Sequence, residues 1–238
     1  MKIGTLTWHR MAAGYLLAVA VLVLARPGEG NATPPHPNTH VKNVTFVAFD
    51  VETTGLSPYQ ERVIEIGAVK FRNGKIIEER EWLIKPDRPI HPMAQRTHNI
   101  SMDQLKDSPA FKDIYDEFMA FIDGSVLMAH NARFDVDFIR EEILRNDLPL
   151  PDAPVVDSLR LFRTWFPQAP SHAMEQLTEH LGVSGDVYHR ALADAVYILD
   201  IFEIGLKTKD GNLPLRQLYR DAGGPMHFAP TKLASPSR

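Results

Sequence analysis

Residues 44–56, VTFVAFDVETTGL, limit what this chain can fold into more than any other stretch. The run is apolar or β-branched through Phe49, which predicts a central strand buried on both faces. It then closes on two carboxylates, Asp50 and Glu52. Side chains on a strand repeat with period two, so both acids leave one face about 7 Å apart. Thr53, Thr54 and Gly55 turn the chain, with glycine free to adopt backbone angles that other residues resist. Carboxylates pressed together repel and partly protonate unless a cation lies between them, and a divalent metal is the usual solution. Alternating acids also occur on strands that face water. Here, however, the strand stays apolar until the acids appear.

The chain has 238 residues, room for one α/β domain with appended segments. It has no cysteine, which excludes thiolate zinc sites, catalytic thiols and disulfides while leaving the redox compartment open. Lys2, His9 and Arg10 precede an uncharged stretch over residues 11–25, the pattern of a secretory signal. About fifteen residues is shorter than the roughly twenty that span a bilayer. A cleaved signal and an uncleaved membrane anchor over residues 1–25 are both open readings, as is a start assigned too far upstream. The first two imply export to the periplasm or cell surface, or association with a membrane; the third implies a cytoplasmic protein. Residues 26–42, rich in Pro, Gly, Asn and Thr, read as a flexible linker. Without residues 1–32 the net charge is about −6, so bulk attraction will not hold a polyanion. A nucleic-acid substrate would need metal ions and a local groove.

Strands are predicted over residues 63–71 and 75–84, joined by a hairpin at Arg72, Asn73 and Gly74. Short helices follow over residues 94–98 and 102–106, the second capped by Ser101. A longer helix opens at Ser108-Pro109 and runs to about Ile122. Residues 126–129 form a short buried strand; the helix after it carries Val136, Phe138, Ile139, Ile143 and Leu144 inward. Further elements are a strand at residues 155–157 and helices over residues 158–166, 173–181 and 190–207, with Gly182 closing the second of these helices. Residues 209–238 read as an irregular tail. Strands first, then alternating strands and helices, give an α/β fold with a mixed sheet flanked by helices.

Asp135 falls at the start of a helix after a buried strand, near the sheet end where ligands gather. An acid there also offsets the helix dipole. Asp194 lies in the last long helix between Ala193 and Ala195, small neighbours that allow close approach to the sheet; a solvent-facing acid is the plain alternative. His189 stands at the entrance to that helix, and a histidine there can take a proton from water near neutral pH.

Three segments together resemble a known family: DVETTGL (residues 50–56), HNARFDVDFI (130–139) and HRALADA (189–195) are similar to the exonuclease motifs of the DnaQ-like DEDDh 3′–5′ exonucleases. The resemblance covers about residues 44–207 and implies an RNase H-like fold and an exonuclease domain over residues 43–208. It implies a two-metal hydrolysis that releases nucleoside 5′-monophosphates from the 3′ ends of single-stranded DNA or RNA. Asp50 would bridge two Mg²⁺ or Mn²⁺ ions, Glu52 and Asp194 would complete one, Asp135 would serve the other, and His189 would act as general base. Backbone groups of Thr53, Thr54 and Gly55 would grip the terminal hydroxyl. Leu56 would wedge against the last bases or else pack in the core. His98 belongs to a segment similar to one near the family's site, and counts as a substrate-side neighbour; Asn99 replaces the family's glycine there. His130 and Asn131 are expected to buttress Asp135. A homodimer is a further expectation from relatives. A non-catalytic nucleic-acid-binding module and the proofreading subunit of a DNA polymerase are the competing readings.

Overall fold

The computed structural model describes residues 33–183, 188–209 and 212–229; the expected signal or anchor over residues 1–25 lies outside them. Five strands, β1 (Phe46–Thr53), β2 (Val63–Arg72), β3 (Lys75–Leu83), β4 (Val126–Ala129) and β5 (Val155–Asp157), form one sheet in the order β3-β2-β1-β4-β5. The first three are antiparallel, whereas β4 runs parallel to β1 and β5 parallel to β4. The predicted hairpin turns at Asn73 and Gly74, whose φ angles of 50° and 69° are what a two-residue turn between twisted strands requires.

The helices are α1 (Pro92–His98), α2 (Met102–Leu105), α3 (Phe111–Ile122), α4 (Arg133–Arg145), α5 (Ser158–Trp165), α6 (Met174–Leu181), α7 (Ala191–Thr208) and α8 (Leu215–Asp221). Ser101 caps α2 as expected, with Gln104 returning the favour to the Ser101 amide. The α3 helix begins later than its Ser-Pro signal suggests, because the Asp113 carboxylate takes the Ala110 N–H at 3.0 Å and holds Ala110 extended. Leu144, expected inside, is instead 49% exposed: α4 turns Ile139 and Ile143 to the core, and the residue after Ile143 falls about 100° round the helix.

Parity along β1 explains where the site lies. Val47, Phe49 and Val51 point to one face and pack with α3 and α4 residues, including Phe118 and Phe138. Phe46 and Ala48 point to the other and pack with Ile198 and Phe202 of α7. Asp50 and Glu52 continue this second face, so the helix that fills it brings its own polar end to them. Phe46 and Phe202 meet with ring centroids 5.2 Å apart, and each fully buried aromatic contributes about 2–3 kcal/mol toward fixing that docking.

Both flanking segments are more structured than their composition suggests. Of the expected linker, residues 33–42 are described; Val41 is buried and its N–H donates to Leu213, while the Leu215 N–H donates to Thr39. The expected irregular tail contains α8, buries Leu215, Leu218 and Phe228, and pairs Met226 with Val155. Among the described residues no helix is long and apolar enough to cross a membrane.

Candidate active site

At the carboxyl end of β1 the sheet changes from antiparallel to parallel pairing, the position where crevices form in open α/β sheets. Three side chains meet there most closely. Glu52, His189 and Asp194 each offer a ligand atom, and these atoms all lie within 4.8 Å of one another. Asp194, half-buried in the first turn of α7, accepts the His189 N–H on Oδ2 at 3.0 Å. That bond helps to hold His189 at φ 59°, a left-handed conformation uncommon for a residue other than glycine or asparagine.

Asp135 arrives from the opposite face. Its Oδ1 accepts the N–H of Val51, the residue between Asp50 and Glu52, at 3.2 Å. The motif spacing does not reveal this link, which ties the first turn of α4 to the middle of the acid pair. His130 takes no part in it: its Nε2 meets the His172 carbonyl at 2.9 Å and its Nδ1 the Ser158 hydroxyl at 3.1 Å. The expectation that His130 buttresses Asp135 is therefore corrected. Asn131 is exposed with φ 59° and shapes the turn into α4.

Crowding and burial act together on the carboxyls. Burial, then Asp135, Asp194 and Glu52, raise Asp50 well above the usual carboxylate range. Burial and the negative Glu65 beside it push Glu52 up to about 8, against the pull of Arg190. Burial pushes Asp135 up to about 8, although its own amide and the Val51 N–H favour the ionised form. Asp194 rises to about 6, burial being opposed by His189 and its amide. Four acids that prefer protons at one place form a site poised for a cation. Carboxylate oxygens are hard donors, so the donor set fits a divalent cation.

A cleft of 390 Å³ opens from Asp50, His189 and Asp194 toward His130, Tyr188 and the first turn of α6. Leu56 is 87% exposed, which excludes the alternative that it packs in the core. Thr54 is fully buried; its N–H donates to Arg62, its carbonyl accepts from His91 and its hydroxyl donates to Glu61. These bonds shape the turn. The Thr53 hydroxyl donates to the Gly55 carbonyl at 2.6 Å. The Thr53 carbonyl faces His98 Nε2 at 3.2 Å, and the Ile100 N–H donates to His98 Nδ1. The second bond leaves the proton on Nε2, so His98 donates to Thr53. His98 is 3% exposed and supports the turn from behind, a correction to its expected place on the substrate side. Of the four residues expected to meet the substrate around this turn, Thr53, Thr54 and Gly55 are buried and Leu56 is exposed. Asn99 at φ 57° fills the glycine-like position after α1 without difficulty.

Two residues escaped the sequence reading. Glu65 is wholly buried on β2, directly across the ladder from Glu52, and Arg190 reaches it from the start of α7 at 2.6 Å. A single acid inside the apolar run VIEIGAV was the available signal, since a charge buried on a central strand requires a partner.

Comparison with known proteins agrees with this geometry. The RNase T family model, described as an exonuclease, matches residues 47–202. A DNA polymerase III PolC-type protein of Streptococcus thermophilus is 35% identical over 189 residues, which cover 76% of this chain and 13% of that protein. The chain thus spans about an eighth of the length of such curated relatives. Among solved structures, Exonuclease X in complex with 5′ overhanging duplex DNA is 26% identical, with a TM-score of 0.59 over 76% of this chain and 99% of that one. E. coli Exonuclease I in complex with a dT13 oligonucleotide is 21% identical, with a TM-score of 0.63 over 71% of this chain and 42% of that one, and shares the fold.

Proposed function

The chain belongs to the DnaQ-like 3′–5′ exonuclease family, and from that membership we propose that it hydrolyses nucleic acid from the 3′ end, releasing nucleoside 5′-monophosphates. The observation that carries the proposal is the meeting of Glu52, His189 and Asp194 beside Asp50. Asp50, Glu52 and Asp194 would hold one Mg²⁺ or Mn²⁺, with Asp50 and Asp135 serving a second. Such ions, when bound, supply charge neutralisation at the phosphoryl oxygens and acidify water.

The protein's own groups do the rest. His189, exposed at the cleft, accepts a proton from the attacking water. That water adds to phosphorus as the bond to the 3′ oxygen breaks, and the leaving oxygen takes a proton from solvent. The backbone around Gly55 seats the terminal sugar, and Leu56 lies against the last base. Exonuclease X, at 26% identity, is in complex with duplex DNA, which favours DNA ends as substrate.

A 5′-labelled oligonucleotide incubated with Mn²⁺ should yield a ladder of shortened products. His189→Ala should slow its appearance by about two to four orders of magnitude, the usual cost of a lost general base. An unchanged band with the intact chain would leave a nucleic-acid-binding module. An undiminished rate in the variant would remove His189 from the mechanism.

The PolC-type relatives favour a second reading, in which the same activity proofreads for a polymerase. Preferential removal of a mismatched 3′ nucleotide over a matched one would support it.

A further inference from the structure

We propose that Glu65 and Arg190 are a positioning pair for the general base: they fix the backbone that enters α7 against β2 at the angle that delivers His189 to the acids of β1. The proposal rests on the nuclease reading above.

The clamp has three parts. Arg190 grips Glu65 with two nitrogens, Nε at 3.0 Å and Nη2 at 2.6 Å, both to Oε1. The other carboxylate oxygen, Oε2, accepts the N–H of Ala191, the first residue of α7, at 2.9 Å. Arg190 Nη2 also reaches Glu81 Oε1 on β3 at 3.0 Å, so the guanidinium spans two strands. Two residues beyond Glu65, on the same face, Gly67 leaves bare backbone: a Cβ there would come within 2.0 Å of the Leu192 nitrogen. The helix therefore starts in direct contact with the strand.

This is an expensive way merely to hold a helix. Burying the Glu65 carboxylate costs desolvation that an apolar side chain of similar size would not, and α7 already buries Ile198, Ile201 and Phe202. A fork-shaped guanidinium on a carboxylate adds fixed direction. The residue so directed adjoins His189, whose left-handed backbone must be imposed by its surroundings. Placing another acid next to Glu52 is counterproductive unless the cation it recruits does something no apolar contact can. Neither Glu65 nor Arg190 lines the cleft.

The test is a double-mutant cycle in kcat with Mn²⁺ and a 5′-labelled single-stranded oligonucleotide, run below the melting temperature of every variant. Arg190→Ala should lower kcat on the order of 10- to 100-fold, as small misplacements of catalytic groups do, with KM unchanged within about threefold. Arg190→Lys, which keeps the charge and loses the fork, should recover only part of that loss. The decisive arm combines Arg190→Ala with His189→Ala. If Arg190 acts through His189, the double variant is no slower than His189→Ala alone. Losses that multiply overturn the proposal. Glu65→Gln, nearly isosteric and able to accept the Ala191 N–H, is carried through the same cycle and must show the same dependence on His189. If His189→Ala alone leaves the rate unchanged, the nuclease mechanism fails first and the positioning pair falls with it.

Discussion

The end of β1 and the loop that follows it, residues 57–62, treat charge in opposite ways. The loop is braced by arginines. Arg62 pairs with Asp87 at 2.8 Å, Arg88 with Glu61 at 3.1 Å, and Arg145 with the buried Glu142 at 3.2 Å. The same arginines donate to the backbone carbonyls of Gln60, Glu61 and Pro58. At the end of β1, Asp50 and Glu52, with the Asp135 and Asp194 that join them, have no arginine or lysine in ion-pair contact among the described residues. Where acids serve architecture, the fold supplies their cations. Where they serve chemistry, it leaves the cation to be recruited.

Three experiments can break or sharpen that contrast. The largest effect is expected from Asp50→Asn, which should reduce metal-dependent hydrolysis by at least about 10³-fold and abolish the rise in Tm on adding Mn²⁺. Because it also removes a buried carboxylate that prefers its proton, the metal-free variant should melt above the parent at pH 8. A variant that melts lower would show that Asp50 is held by something more than burial and repulsion.

The next effect concerns pH. Glu52 and Asp135 near 8 and Asp194 near 6 are raised above their unfolded values. Raised carboxylate values contribute stability that is complete below the ordinary range near 4 and is lost as pH climbs through the folded values. In EDTA, Tm should therefore fall between about pH 5 and pH 8.5, on the order of 5 °C or more. Mn²⁺ should restore it, and restore most at the alkaline end. A flat metal-free profile would mean that the acids are compensated after all.

The smallest is Arg145→Ala, in the braced region. Leaving Glu142 buried with only the Val63 N–H should cost about 3 kcal/mol of stability, read by urea denaturation. The Mn²⁺-induced shift in Tm should survive. If it disappears, the brace and the acid cluster are one cooperative unit.

The acid pair was legible because a strand's period is strict: Asp50 and Glu52 had to share a face whatever the rest did. Which face depended on where α7 docks, and that is set by Phe46, Ile198 and Phe202, residues far apart in the chain. Asp135 and Asp194 carried weak local signals, and only the family resemblance placed them with the others. The Val51 amide that seats Asp135 is invisible to any side-chain pattern. His98 was misplaced because its sequence position lies near the site while its ring points into the protein. The α8 helix was missed because seven polar-looking residues, LRQLYRD, are too short to be helical alone; they are ordered by Leu215 and Leu218, which join the core cluster beside α5.

β5 is the last strand of the sheet, and Met226 exchanges both backbone hydrogen bonds with Val155, at 2.8 and 2.9 Å. Those are the groups that an open edge would offer to a strand of another molecule. The segment after α8 thus acts as a selvedge, guarding this side of the sheet against unwanted pairing.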